Sequence, residues 1–125
     1  VTLVVGDYDE AIAYYAGVLG FELKEDTDLG AGKRWVVVAP PSSQGQNGTA
    51  LLLAKVANDH QASRVGDQTG GRVAFFLETG DFAEEYARLS GAGVQFTEQP
   101  RTETYGQVVV FQDLYGNRWD LIQLR

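Results

Sequence analysis

Apolar residues recur along the chain in two rhythms, and each rhythm occurs in both halves. Tyr8, Ile12, Tyr15 and Leu19 fall at intervals of four, three and four, which gathers them on one face of a helix. Asp7 stands ahead of them with Glu10 three residues on, the spacing of a capping box, and Gly20 ends the run. The same grammar returns with Asp81 and Glu84, followed by Phe82, Tyr86 and Leu89 and closed by Gly91 and Gly93. Strand patterns precede each helix, Thr2 to Val5 in the first half and Arg72 to Leu77 in the second. Three more follow each helix. In the first half they lie around Phe21 to Glu25, Arg34 to Ala39 and Ala50 to Lys55, and in the second at Val94 to Thr97, Gln107 to Gln112 and Arg118 to Leu124.

The correspondence is residue by residue. Gly6-Asp7-Tyr8 with Glu10 becomes Gly80-Asp81-Phe82 with Glu84, 74 positions later, and Gly20-Phe21-Glu22-Leu23 is echoed by Gly93-Val94-Gln95-Phe96 after 73. Each half reads strand, helix, strand, strand, strand. Neither is large enough to bury a hydrophobic face alone, so two such modules must pack together. The helix aromatics are expected in the core. Pro40 to Gly48 is a turn-rich loop between the last two strands of the first module, and its counterpart is the tight Asp113-Leu114-Tyr115-Gly116-Asn117. The stretch 56–71 lacks periodicity and is longer than most loops; it reads either as a lid or rim or as a solvated linker. The expected organisation is a single domain over 1–125, with module 1 at 1–55, the linker at 56–71 and module 2 at 72–125.

With 125 residues, 44% of them hydrophobic, the chain has the balance of one globular domain. A net charge of -7 argues against nucleic acid or an anionic membrane as partner, since both need clustered Lys and Arg, and leaves room for a cationic or neutral small ligand. No apolar run approaches the roughly 20 residues of a membrane span, and the first residues carry a strand pattern without a basic leader. The absence of cysteine removes thiolate ligands, a cysteine nucleophile and disulfides, which fits a cytoplasmic setting. The absence of methionine implies that Val1 is not the natural start.

Asp7-Tyr8-Asp9-Glu10-Ala11, Tyr14-Tyr15 and Val18-Leu19-Gly20-Phe21-Glu22, together with Asp113-Leu114-Tyr115-Gly116-Asn117-Arg118-Trp119-Asp120-Leu121, resemble the vicinal oxygen chelate superfamily. Glyoxalase I, extradiol dioxygenases, methylmalonyl-CoA epimerase, fosfomycin-resistance enzymes and bleomycin-resistance proteins belong to it. The resemblance covers essentially the whole chain. It implies an α+β fold of two tandem βαβββ modules forming a U-shaped, mostly antiparallel eight-stranded sheet around a cavity. Dimerisation is a further implication.

Metal-using members carry ligands on the first and last strands of each module. In this chain the resemblance puts Ala74 or Arg72 at one such place, Leu52 or Leu53 at another and Asp120 at a third; the fourth falls before Val1. One carboxylate does not make a divalent site, which needs three or four N, O or S ligands. No metal and no cofactor are therefore expected, and His60, in the linker, reads as an exposed loop residue.

Alternation along the last strand places Arg118, Asp120 and Ile122 on one face and Trp119, Leu121 and Gln123 on the other. Asp120 at the old ligand position would look into the cavity, or else cap its own hairpin. Arg72 would either face it, as a forked donor opposite an acceptor, or lie solvated at a strand edge. Trp35 is either a stacking surface or core. Phe111 is likewise cavity or core, Arg101, Glu103 and Tyr105 are polar rim residues, and Glu78 is part of its turn. Three functions compete. The leading one is a metal-independent binding protein of the glyoxalase and bleomycin-resistance type, its cavity lined by Trp35, Leu51, Leu53, Arg72, Phe111 and Asp120, taking a cationic or aromatic small molecule. The second is a metal-dependent lyase, isomerase or dioxygenase whose first ligand lies upstream of Val1. The third is a non-catalytic interaction or regulatory domain.

Overall fold

The computed structural model describes residues 1–41 and 48–125, so most of the loop expected from Pro40 to Gly48 lies outside the described residues. The chain divides into two units, Val1–Val65 and Gly66–Arg125. The first contains β1 (Thr2–Val5), α1 (Tyr8–Ile12), a π-helix continuing it (Ala13–Val18), β2 (Glu22–Gly30), β3 (Lys33–Ala39), β4 (Leu51–Lys55) and the one-turn α2 (Asp59–Ala62). The second contains β5 (Val73–Glu78), α3 (Phe82–Gly91), β6 (Gln95–Phe96), β7 (Arg101–Glu103), β8 (Gly106–Gln112) and β9 (Arg118–Leu124). No helix among the described residues is long and apolar enough to cross a membrane.

Both aspartates cap as their spacing predicts. Asp7 accepts from the Glu10 N–H at 2.9 Å, and Asp81 from the Glu84 N–H at 3.1 Å. The Asp81 N–H is met by the Thr79 hydroxyl at 3.1 Å. The first helix differs from expectation after Ile12, where its turns widen: the Leu19 N–H reaches the Tyr14 carbonyl at 3.0 Å, a five-residue step. Ala11, Tyr15 and Leu19, all buried, are spaced by four, and the wider π turn keeps that spacing on one face.

In the first unit the strand order is β1-β4-β3-β2, with β1 and β4 parallel and the others antiparallel. Leu3, Val36, Val38, Leu51 and Leu53 share the buried face, and α1 packs on β3 and β4. The linker is partly structured: Asn58 caps α2, accepting from the Gln61 N–H at 2.9 Å, and α2 lies against β1.

In the second unit the order is β5-β9-β8-β6, with β7 also on β8; the strand expected at Val94 to Thr97 is the two-residue β6, and β7 is a further strand in the stretch expected as a loop. Pro100 cannot donate to a ladder, and the edge breaks ahead of β7. Beneath α3 runs a chain of ring contacts, Phe75 to Trp119 to Phe111 to Phe96 to Tyr86 to Phe82, with centroid spacings from 4.7 to 6.1 Å. Gln123 fastens α3 to β9, its side chain accepting from the Phe82 N–H at 2.8 Å and donating to the Gly80 carbonyl at 3.1 Å. Asp113 organises its turn from within, accepting from the N–H groups of Tyr115 and Asn117 and from the Asn117 amide. Gly66 passes so close to this turn that a Cβ would sit 1.9 Å from the Tyr115 carbonyl oxygen, and its φ of +78° favours glycine independently.

Candidate functional site

Because β9 is central in its sheet, each of its side chains is committed to one face. Trp119 and Leu121 belong to the aromatic core. The opposite face carries Arg118, Asp120 and Ile122, whose partners across the ladder are Gln112, Val110 and Val108 of β8. On the other side of β9, Phe76 lies opposite Asp120 and Glu78 opposite Ile122. Alternation thus assigns the β9 faces correctly.

Asp120 is the unusual member of this face. Its Oδ1 is buried and has no hydrogen-bond partner among the described residues. Burial raises its carboxyl above the usual carboxylate range; the Arg101 charge opposes that rise and the Glu98 charge reinforces it. Beside it Phe76 leaves 65% of its surface exposed, a large value for a phenylalanine in a paired strand.

The break between β6 and β7 explains the charges. Where the ladder lapses, the Val110 N–H donates to Glu98 Oε1 at 3.2 Å and the Thr97 N–H to the Val110 carbonyl at 3.0 Å. A side-chain carboxylate thereby stands in for a missing backbone acceptor. Arg101 then binds Glu98 through Nε, 3.0 Å from both carboxylate oxygens, and Glu103 through Nη1 at 2.7 Å. Hydrogen bonds to Glu103, Glu98 and Tyr105 hold the guanidinium above its already high pKa.

The expected site residues separate into groups. Asp120 is on the face just described. Arg72 is exposed ahead of β5, and its carbonyl accepts from the Thr69 hydroxyl at 2.6 Å. A register shift between Val73 and Phe75 puts Phe76 opposite Asp120, where an unbroken register from Val73 would put Phe75; Arg72 and Ala74 fall short of Asp120 in either register, and the charges that act on it are those of Arg101 and Glu98. Phe111 is fully buried in the aromatic core. Leu51 and Leu53 are buried against β3 in the first unit, where Leu52 points to the other face. Trp35 is no core residue: it is 44% exposed, opposite Thr27. Next to it Arg34 bridges Asp26 at 2.6 Å and Asp9 at 2.9 Å, with its guanidinium 5.2 Å from the Tyr8 ring centre. The Arg34 hydrogen bond lowers the Asp26 pKa, and the group ties the β2–β3 hairpin to α1. His60 lies exposed on α2. Among the described residues no three His, Asp or Glu side chains are gathered as a metal site.

Phe76, Glu98 and Val110 are not reached by alternation alone. The bulge in β5 and the break before β7 set their positions, and the one available signal is Pro100 two residues after Glu98.

A model of the Glyoxalase/Bleomycin resistance protein/Dioxygenase superfamily matches residues 1–121. An uncharacterized protein of Shewanella frigidimarina (strain NCIMB 400) is 50% identical over 125 residues, 99% of this chain and 90% of its own length. The crystal structure of UcmS2 superposes with a TM-score of 0.81 at 30% identity, covering 98% of this chain and 93% of UcmS2. TnmS3, an antibiotic binding protein from Streptomyces sp. CB03234, superposes with a TM-score of 0.76 at 28% identity, covering 100% of this chain and 93% of TnmS3.

Proposed function

We propose, starting from the fact that this chain belongs to the glyoxalase/bleomycin resistance protein/dioxygenase superfamily, that it binds a small organic molecule without the help of a metal ion. The observation that carries the reading is the buried Oδ1 of Asp120, without a partner among the described residues, in surroundings where the one further carboxylate that acts on it, Glu98, is bound to Arg101. A divalent cation asks for three or four N, O or S ligands. Asp120 supplies one carboxylate oxygen without a partner among the described residues, Glu98 is already tied to Arg101, and no three His, Asp or Glu side chains gather as a metal site among the described residues. The donor set does not fit a metal. A polar group left unpaired in a folded protein is costly, and a ligand that pairs with it recovers that cost.

The likeness to TnmS3, an antibiotic binding protein, supports a ligand of the size of a small organic molecule. The charge of -7 and the exposed ring of Phe76 favour one that is cationic or aromatic. Phe76, the ladder partner of Asp120, joins it as a contact residue, with Phe111 in the core of the same unit. The protein acts in this reading as a cytoplasmic homodimer without a nucleic-acid or membrane partner, which light scattering and fractionation check.

A thermal-shift screen of chelator-treated protein against Zn, Ni, Mn and Fe and against metabolites and cationic antibiotics tests the proposal, because a ligand specific to the folded state raises its melting temperature. Stabilisation by an organic compound in chelator is the expected result. Stabilisation by a stoichiometric metal would overturn it and return the metal-dependent lyase, isomerase or dioxygenase reading.

A further inference from the structure

Resting on that reading, we infer that the Asp120 face selects an aromatic ligand bearing a cationic hydrogen-bond donor and rejects the corresponding anion, through a division of labour among Phe76, Asp120 and Arg101. Phe76 and Asp120 are ladder partners on adjacent strands, so an exposed ring and an unpartnered carboxylate oxygen stand side by side on one sheet face. A ring laid on Phe76 brings a substituent within reach of Asp120. The substituent must be a donor, because an ionised carboxylate only accepts.

Arg101 would ordinarily reverse that preference. A free guanidinium beside an aromatic platform is a binding site for carboxylate or phosphate. Here its Nε–H is held by Glu98 at 3.0 Å and its Nη1 by Glu103 at 2.7 Å, so two carboxylates pair its charge, and Glu98 is itself held in place by the Val110 N–H. The break in the edge strand therefore has a chemical consequence: it installs a carboxylate that neutralises the arginine. The other arginine on the face, Arg118, donates through Nη1 to the Gly71 carbonyl at 3.0 Å. With Glu78 also on this face, the local balance is negative, and a donor at Asp120 meets an acceptor whose competing cation is already occupied.

The test uses three probes of one shape on the chelator-treated full chain: naphthalen-2-ylmethylammonium, 2-methoxynaphthalene and 2-naphthoate. Affinities are measured by amide chemical-shift titration, which also reports whether Phe76, Val110 and Asp120 respond. The ammonium is expected to bind about tenfold or more tightly than the other two, the scale of one charge-assisted hydrogen bond. Asp120→Asn should erase that advantage with no change in affinity for 2-methoxynaphthalene, and Phe76→Ala should weaken all three; unchanged circular dichroism confirms that both variants fold. Naphthoate binding as well as the ammonium, or an ammonium affinity untouched in Asp120→Asn, overturns the inference and leaves small-molecule binding standing. No response to any of the three from a protein that another organic compound stabilises has the same meaning. If the organic screen also finds nothing, the functional reading falls and this inference with it.

Discussion

Replacing Asp120 with valine should make the protein more stable. In the wild type, folding takes Oδ1 of Asp120 out of water and gives it no partner among the described residues in return. An unsatisfied buried polar group costs about 1–3 kcal/mol. Valine removes that cost and suits a central strand between Val110 and Phe76, while losing the attraction to Arg101, so the net gain should be about 1 kcal/mol. Unfolding entropy of about 2.1 cal/mol/K per residue makes that a rise in Tm of about 4 °C for a chain of this length.

The gain also has a pH signature. A carboxyl raised by burial binds its proton more tightly when folded than when unfolded, so its effect on stability is most favourable below the ordinary aspartate range. That contribution is lost as pH rises through the elevated folded value. The advantage of Asp120→Val should accordingly be small in acid and full at neutral pH. Calorimetry at several pH values reads both effects. A Tm lowered by several degrees at neutral pH would show that the tie to Arg101 outweighs desolvation, and the claim of an unpaired group kept for binding would fail.

Other outcomes follow from the packing. Phe111→Ala should lose about 3–5 kcal/mol in chemical denaturation, as a core aromatic does, whereas the exposed Trp35→Ala should change stability little. Gly66→Ala should cost more than about 2 kcal/mol, since a left-handed backbone alone costs about 1–2 and the Cβ also meets the Tyr115 carbonyl; urea titration with an unchanged midpoint would refute that account of the turn. Asp81→Ala should cost about 1 kcal/mol through loss of the cap on α3, seen as faster amide exchange over its first turn.

The duplicated pattern made much of the architecture legible, because capping aspartates, apolar helix spacings and closing glycines are local signals. Asp7 and Asp81 cap where they should, and alternation places Trp119 and Asp120 on opposite faces of β9. Legibility ends where the register slips. The same alternation cannot say which face looks inward when both carry apolar residues, so Leu51, Leu53 and Phe111 were indistinguishable in sequence from cavity residues although all three are core. The bulge between Val73 and Phe75 sets Phe76 rather than Phe75 opposite Asp120, and the edge break before β7 brings in Glu98 and Arg101. Neither irregularity has a periodic signature. Trp35 is ambiguous for another reason: tryptophan is mostly core, and its exposure follows from its place on the face opposite Val36 and Val38, at the end of β3 that pairs with β2 and not with β4.

The most direct test of the account is a calorimetric titration, in chelator, of the organic compound that most raises the melting temperature, performed on the wild type and on Asp120→Val. Metal-free binding by the wild type with at least a tenfold loss in the variant, about 1.4 kcal/mol, is the predicted result. Equal affinity in the two proteins, or binding that appears only after a metal is restored, would contradict it.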